Sequence, residues 1–169
     1  MTSPDLLLSD LSQAAADDRW RGFSDRVMGG ISREQVSVEE LAGRRCIRLR
    51  GEVRLENNGG FVQMALPLDA GGESFDADDF QGIRLLALGN NEEYLVHLRT
   101  TQTRLPWQYF RAPFVAGPAW HSVDIPFTAF QPERIAARLD PRRLSRLGIV
   151  AYGRRFTADV AVAQVSLYR

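Results

Sequence analysis

The chain has 169 residues, 44% hydrophobic and 25% charged, enough for one domain with its own core and too few for two ordinary ones. Twenty-one basic residues balance twenty-one acidic ones, so the formal charge is zero and the broad positive field of a protein that binds nucleic-acid backbones is excluded. Every basic residue is Arg; without Lys, Schiff-base, P-loop and lysine-base mechanisms are excluded too.

Leu6-Leu7-Leu8 is interrupted at once by Ser9 and Asp10, too short for the apolar part of a signal peptide or for a membrane span, so a cytoplasmic protein is expected. Leu6–Leu11 reads either as an edge strand or as a helix opened by Ser3-Pro4-Asp5. Ile47, Leu49, Val53 and Leu55 alternate with Arg48, Arg50, Glu52 and Arg54, the period of a half-buried strand. Cys46 begins that alternation, which makes it a structural thiol; a lone cysteine cannot form an internal disulfide or a Cys-rich zinc site. Asn57-Asn58-Gly59-Gly60 is a turn, and Val62, Met64, Leu66 and Leu68 alternate again after it. Further strands are predicted at Gly82–Leu88, Tyr94–Thr100, Trp107–Val115, Trp120–Phe127, Leu147–Tyr152 and Ala158–Tyr168. Pro132–Leu139 has a proline start and apolar residues four apart (Ile135, Leu139), predicting a helical turn that Asp140-Pro141 breaks before capping a second short one. Eight or more strands between Gly, Pro, Asn and Asp turns predict an all-β antiparallel sandwich, one domain over residues 1–169, with one or two short helical turns.

The stretch from Tyr94 to Val115 reads as a hairpin centred near Thr103, which sets Arg99 opposite Trp107, His97 opposite Tyr109 and Leu95 opposite Arg111. Val96, Leu98, Phe110 and Phe114 then form the core side. The other side gathers His97, Arg99, Trp107, Tyr109 and Arg111. Rings beside Arg and His on a sheet face suit a sugar or small polar ligand; the same residues also serve a solvated face on which guanidinium groups stack. Trp120 is expected to seal one end of the sandwich.

Ser24-Asp25-Arg26-Val27-Met28-Gly29-Gly30-Ile31-Ser32 is a loop whose paired glycines allow positive φ and close approach. Ser24 and Asp25 are too few ligands for a calcium site, so a buried Asp25 pinning the loop is the plainer reading. The loop is expected to pack against the Asn57–Phe61 turn. No metal and no cofactor are expected, and no catalytic residue: His97 and His121 have no Ser or Cys placed as a nucleophile. Chemistry alone gives a β domain that binds something.

Several motifs add to this. Trp20, the block Ser24–Ser32 with Met28, Gly29 and Gly30, and Asn58-Gly59-Gly60-Phe61 resemble the NADH:ubiquinone oxidoreductase complex I intermediate-associated protein 30 family. Gly82-Ile83, Gly89-Asn90, Leu98-Arg99-Thr100, Trp107-Gln108-Tyr109 and Ile125-Pro126-Phe127 extend the match along most of the chain. The resemblance implies a galactose-binding-like jelly roll, similar to some carbohydrate-binding modules. It also implies a chaperone-like assembly factor with a protein partner rather than an enzyme. Many members carry a basic residue soon after Asn-Gly-Gly-Phe, where this chain has Gln63-Met64-Ala65. The Arg-only composition suggests a bacterial member. Carbohydrate or another small ligand on the aromatic–Arg face is the alternative, with no nucleic acid and no membrane span.

Overall fold

The computed structural model describes residues 5–12, 17–69 and 71–169. Among them run twelve strands: β1 (Leu6–Asp10), β2 (Arg21–Ser24), β3 (Arg33–Leu41), β4 (Arg44–Val53), β5 (Phe61–Pro67), β6 (Gly82–Gly89), β7 (Glu93–Thr100), β8 (Tyr109–Val115), β9 (His121–Pro126), β10 (Gln131–Glu133), β11 (Leu144–Tyr152) and β12 (Phe156–Tyr168). They form two antiparallel sheets, a jelly-roll sandwich. The first has the order β3-β4-β12-β6-β9, with β1 also on β12; the second has the order β10-β8-β7-β11-β5-β2. Among the described residues no helix is long and apolar enough to cross a membrane.

Alternation builds both layers. In β4, Ile47, Leu49 and Val53 turn inward and are buried, while Arg48 and Arg50 turn outward. Val62, Met64 and Leu66 of β5, Val96 and Leu98 of β7, and Leu147, Ile149 and Ala151 of β11 meet them from the second sheet. Each large aliphatic side chain buried here contributes about 1.5–3 kcal/mol before chain entropy is subtracted. Tyr94 joins the layers: its hydroxyl donates to Asn90 Oδ1 (2.6 Å) and accepts from the Asp159 N–H (2.9 Å). Burial pushes that phenol up to about 12.

All eight strands read from alternation form, and Leu6–Asp10 resolves as a strand on β12. The predicted Pro132–Leu139 helix does not form. Pro132 lies in β10, paired with Phe110 of β8, and Arg134 adopts φ 55°, which no right-handed helix accommodates. Side-chain amides of Gln108 and Gln102 donate to the Arg134 and Arg138 carbonyls, the work a helix would otherwise do. Ile135 and Leu139 still pack on the core, so their spacing recorded burial rather than helix. The second turn does form at Pro141–Arg143, where the Asp140 side chain accepts from the Arg142 N–H.

The hairpin register also differs from the expected one. His97 pairs with Arg111 and Leu95 with Pro113, because β8 begins at Tyr109 and residues 101–108 make a long loop. Inward and outward sides are unchanged. Trp120 covers a face, not an end: its indole N–H donates to the Leu41 carbonyl (2.9 Å) and the ring closes over Cys46, Ala161 and Ala163 outside the first sheet. Burial pushes the Cys46 thiol up to about 11, which suits a structural thiol.

Candidate functional site

Two places concentrate the residues singled out from sequence. One is a knot of loops around Asp25, which is fully buried. Ser24 caps the 3-10 turn Asp25–Met28, its hydroxyl accepting from the Arg26 N–H and donating to the Ser32 carbonyl (3.0 Å). The Asp25 carboxylate accepts from the N–H groups of Ser32 (2.9 Å), Gly60 (2.6 Å) and Phe61 (3.2 Å), and from the Ser32 hydroxyl. Burial opposes its charge, but these donors prevail and hold the carboxyl below the ordinary range.

The glycines divide the labour. Gly29 (φ 89°) and Gly60 (φ 137°) supply left-handed backbone. Gly30 and Gly59 supply room, since a Cβ at Gly59 would stand 2.6 Å from Asp25 Oδ2 and one at Gly30 would strike Oδ1. The Asn57 amide donates across to the Gly29 carbonyl (3.2 Å), so the two loops pack together as expected. The side chain of Asn58 lies outside the described residues. Held out from this knot are Val27 and Met28, 71% and 63% exposed, with Ile31 and Leu55 also exposed nearby in the two loops.

The other place is the outer face of the second sheet. Register lines up Arg111, His97, Gly148, Ala65 and Arg21 across five strands; beside them run Arg99, Arg146 and Pro67, and Leu95, Val150, Gln63 and Phe23. Among the described residues no third layer covers this face, yet its centre is buried: His97, Gln63, Ala65, Gly148 and Val150 are all closed off by the taller side chains around them. The face is therefore a trough. The Gln63 amide lies across Gly148, in the space that a side chain there would otherwise take.

Tyr109 stacks flat on His97, ring centroids 3.9 Å apart and planes 15° from parallel. Desolvation, with Arg111 and Arg146 nearby, lowers the imidazole to about 3, so it is neutral at physiological pH, and its buried Nε2 meets no hydrogen-bond partner among the described residues. Burial, with Tyr152 and Glu133 nearby, pushes the Tyr109 phenol up to about 12. Arg111 pairs with Glu133 (3.3 Å). Arg99 donates to the carbonyls of Thr103, Leu105 and Pro106, fixing the 101–108 loop, and has no carboxylate partner among the described residues. Arg146 makes no hydrogen bond or ion pair there; its guanidinium lies 5.3 Å from the Phe23 ring centroid. At the β2 edge, Asp18, Arg19, Arg21, Phe23, Ala65, Pro67 and Arg146 line a groove of about 460 Å3.

Of the residues singled out, His97, Tyr109 and Arg111 come together on this face and Arg99 stands beside them. Trp107 lies off the strands, 53% exposed in the 101–108 loop. Missed from sequence were Arg146, Gln63, Gly148 and Phe23. The signal for Arg146 was its parity with Gly148 and Val150, hidden because the strand was read as starting at Leu147.

Similar folds occur among carbohydrate-binding modules. A family 11 module of a cellulosomal cellulase of Clostridium thermocellum superposes with a TM-score of 0.76 at 12% identity, over 99% of this chain and 96% of that one. The same family's module in complex with a β-1,3-1,4-mixed-linked tetrasaccharide gives 0.74 at 12%, over 97% and 95%. A family 30 module gives 0.64 at 16%, over 98% and 87%. At these identities the likeness establishes the galactose-binding-like jelly roll and nothing of the ligand. No curated protein matches the sequence. The profile of the Complex I intermediate-associated protein 30 family matches residues 9–159, and it takes in both the Asp25 knot and the trough, so the chain belongs to that family.

Proposed function

We propose that this protein is a non-enzymatic binding module of the assembly-factor kind, engaging a protein partner through the loop knot. The observation that carries this is the outward display of Val27 and Met28 on a turn that Asp25 makes rigid. Exposed apolar side chains mark interaction sites, and a preformed turn loses little entropy when it is covered. The family's link to complex I intermediates supports a respiratory-complex protein as partner. Neither histidine is placed for catalysis: His97 lies under Tyr109, and the His121 ring nitrogens lie against the carbonyls of Ala119 and Val115. Substituting Val27→Ser and Met28→Ser together should abolish capture of a respiratory-complex subunit, identified by mass spectrometry, with the melting temperature unchanged. Equal capture by wild type and variant would overturn this reading.

A second reading, a saccharide or small polar ligand in the trough, is supported by the flat Tyr109 ring on a face that also carries Arg99 and Arg146, and by the carbohydrate-binding folds that the chain resembles. The two readings concern different surfaces and do not compete.

A further inference from the structure

Arg99 of β7 and Arg146 of β11 stand directly opposite each other in the register. Like charges at such a pair of positions destabilise a sheet. Both side chains are only partly exposed, and no carboxylate comes between them among the described residues. Desolvation lowers both guanidinium groups, and Arg99 lowers Arg146 further. Elsewhere on the molecule arginines in the middle of a sheet are answered: Arg48 by Asp159 and Glu39, Arg84 by Asp124 and Asp5. The Arg99–Arg146 pair is not answered in this way by any carboxylate among the described residues.

Its surroundings say what kind of anion would suit it. Beside Arg146 the groove is lined by Phe23, Ala65 and Pro67, an apolar floor, with Arg19, Arg21 and one carboxylate, Asp18, completing the lining. Such a floor accepts the CH face of a ring, and Tyr109 offers a second flat surface over His97. A ligand that fits both features is a ring with one apolar face and a carboxylate bonded directly to it. A flexible Asp or Glu side chain brings the charge without the face, and a neutral sugar brings the face without the charge. Resting on the second reading above, we propose that the trough binds a uronate-containing oligosaccharide, its carboxylate held between Arg99 and Arg146 and its ring on the Phe23–Ala65–Pro67 floor.

Arg146 is the residue to change, since Arg99 also holds the 101–108 loop. Calorimetric titrations of the full chain at low salt would use tetragalacturonate, the neutral mixed-linked β-1,3-1,4 glucotetraose, and a hexaglutamate peptide. Tetragalacturonate should bind at least about tenfold more tightly than the other two, and more weakly as salt is added. Arg146→Gln should lower its affinity about tenfold, as expected for loss of a charge-assisted hydrogen bond. Arg48→Gln, which removes the same charge from the opposite face, should leave it unchanged, and thermal melts would confirm that both variants are folded. Neutral glucotetraose binding as tightly as the uronate would overturn the carboxylate assignment while leaving a saccharide trough standing. Tighter hexaglutamate binding would make the ligand an acidic peptide. Binding of none of the three would remove both the inference and the reading on which it rests.

Discussion

Arg48 and Arg50 stand on the outer face of the first sheet, where Arg48 meets Asp159 at 2.8 Å through two nitrogens and both reach Glu39. Arg84, two strands away, meets Asp124 and Asp5. Arg99 and Arg146 stand on the outer face of the second sheet and meet no carboxylate among the described residues, although their heads are more deeply desolvated than a free surface would make them. One face is a finished surface in which charge is matched within the chain. The other matches Arg111 with Glu133 but leaves Arg99 and Arg146 without an acidic partner among the described residues, beside rings and a short-side-chain floor. Natural sequences depart from local consistency mainly where function requires it, and the second face is such a departure.

The sharpest test of the matched condition is Asp25, where a buried charge has all its donors. Asp25→Ala removes one acceptor from three N–H groups and a hydroxyl at once and should cost about 3 kcal/mol, read as a fall in the denaturant midpoint. Because the native carboxyl lies below its unfolded value, its contribution is fully present above about pH 4. That contribution should disappear as pH falls through the lowered native value, so wild type and variant should converge in acid. A variant as stable as wild type at neutral pH would mean that the knot is not a unit.

His97 gives the next largest effect, from the unmatched face. Burial, with Arg111 and Arg146 nearby, holds it neutral down to about pH 3 under the Tyr109 ring, whereas an unfolded histidine takes a proton near 6.5. Between these values the unfolded state binds the extra proton, so stability should fall as pH drops from 6.5, by at most about 1.4 kcal/mol per pH unit. Melts of wild type and His97→Gln at pH 7 and 5 would show it: the wild type should lose stability over that interval and the variant much less. Parallel curves would place a charge-accepting partner at His97.

How far the sequence carried these sites depends on the range of the contacts. Alternation in Ile47–Leu55 and Val62–Leu68 located strands because one face of each is buried along its length. β3 escaped because it lies at a sheet edge and none of its residues is fully buried, so Arg33, Gln35, Ser37 and Glu39 alternate with no continuous apolar face. In the Asp25 knot, residue types sufficed: paired glycines on two loops and one central acid left little other geometry. The trough was legible only on its β7–β8 side, where sequence neighbours pair. Gly148, Gln63 and Phe23 reach it through β11, β5 and β2, whose order in the sheet no local pattern states. Trp107 illustrates the opposite error, an aromatic residue assigned to a strand that a longer loop displaced.

Arg48→Gln probes the matched face directly. Its pairs with Asp159 and Glu39 are only partly exposed, so more than the smallest surface value applies, and about 1 kcal/mol of destabilisation is expected. Raising salt should shrink the difference between wild type and variant. No change at low salt would remove the claim that this face is stabilised by its charge matching.

Arg146→Gln makes the mirror measurement and should have the smallest effect, with the opposite sign. Wild type places two partly desolvated guanidinium groups across from one another with no carboxylate between them among the described residues. Removing one relieves that repulsion and leaves no hydrogen-bonded partner unsatisfied, since Arg146 makes no such bond among the described residues. The loss is its stack near the Phe23 ring, a contact at 5.3 Å worth about 0.5–1 kcal/mol at a half-exposed site. The two terms nearly cancel, with the balance toward a gain of about 0.5 kcal/mol at low salt that fades as salt screens the repulsion. Equal destabilisation in Arg146→Gln and Arg48→Gln would show that Arg146 already has an internal counter-charge. The two faces would then no longer differ in kind, and the trough would be an ordinary solvated surface.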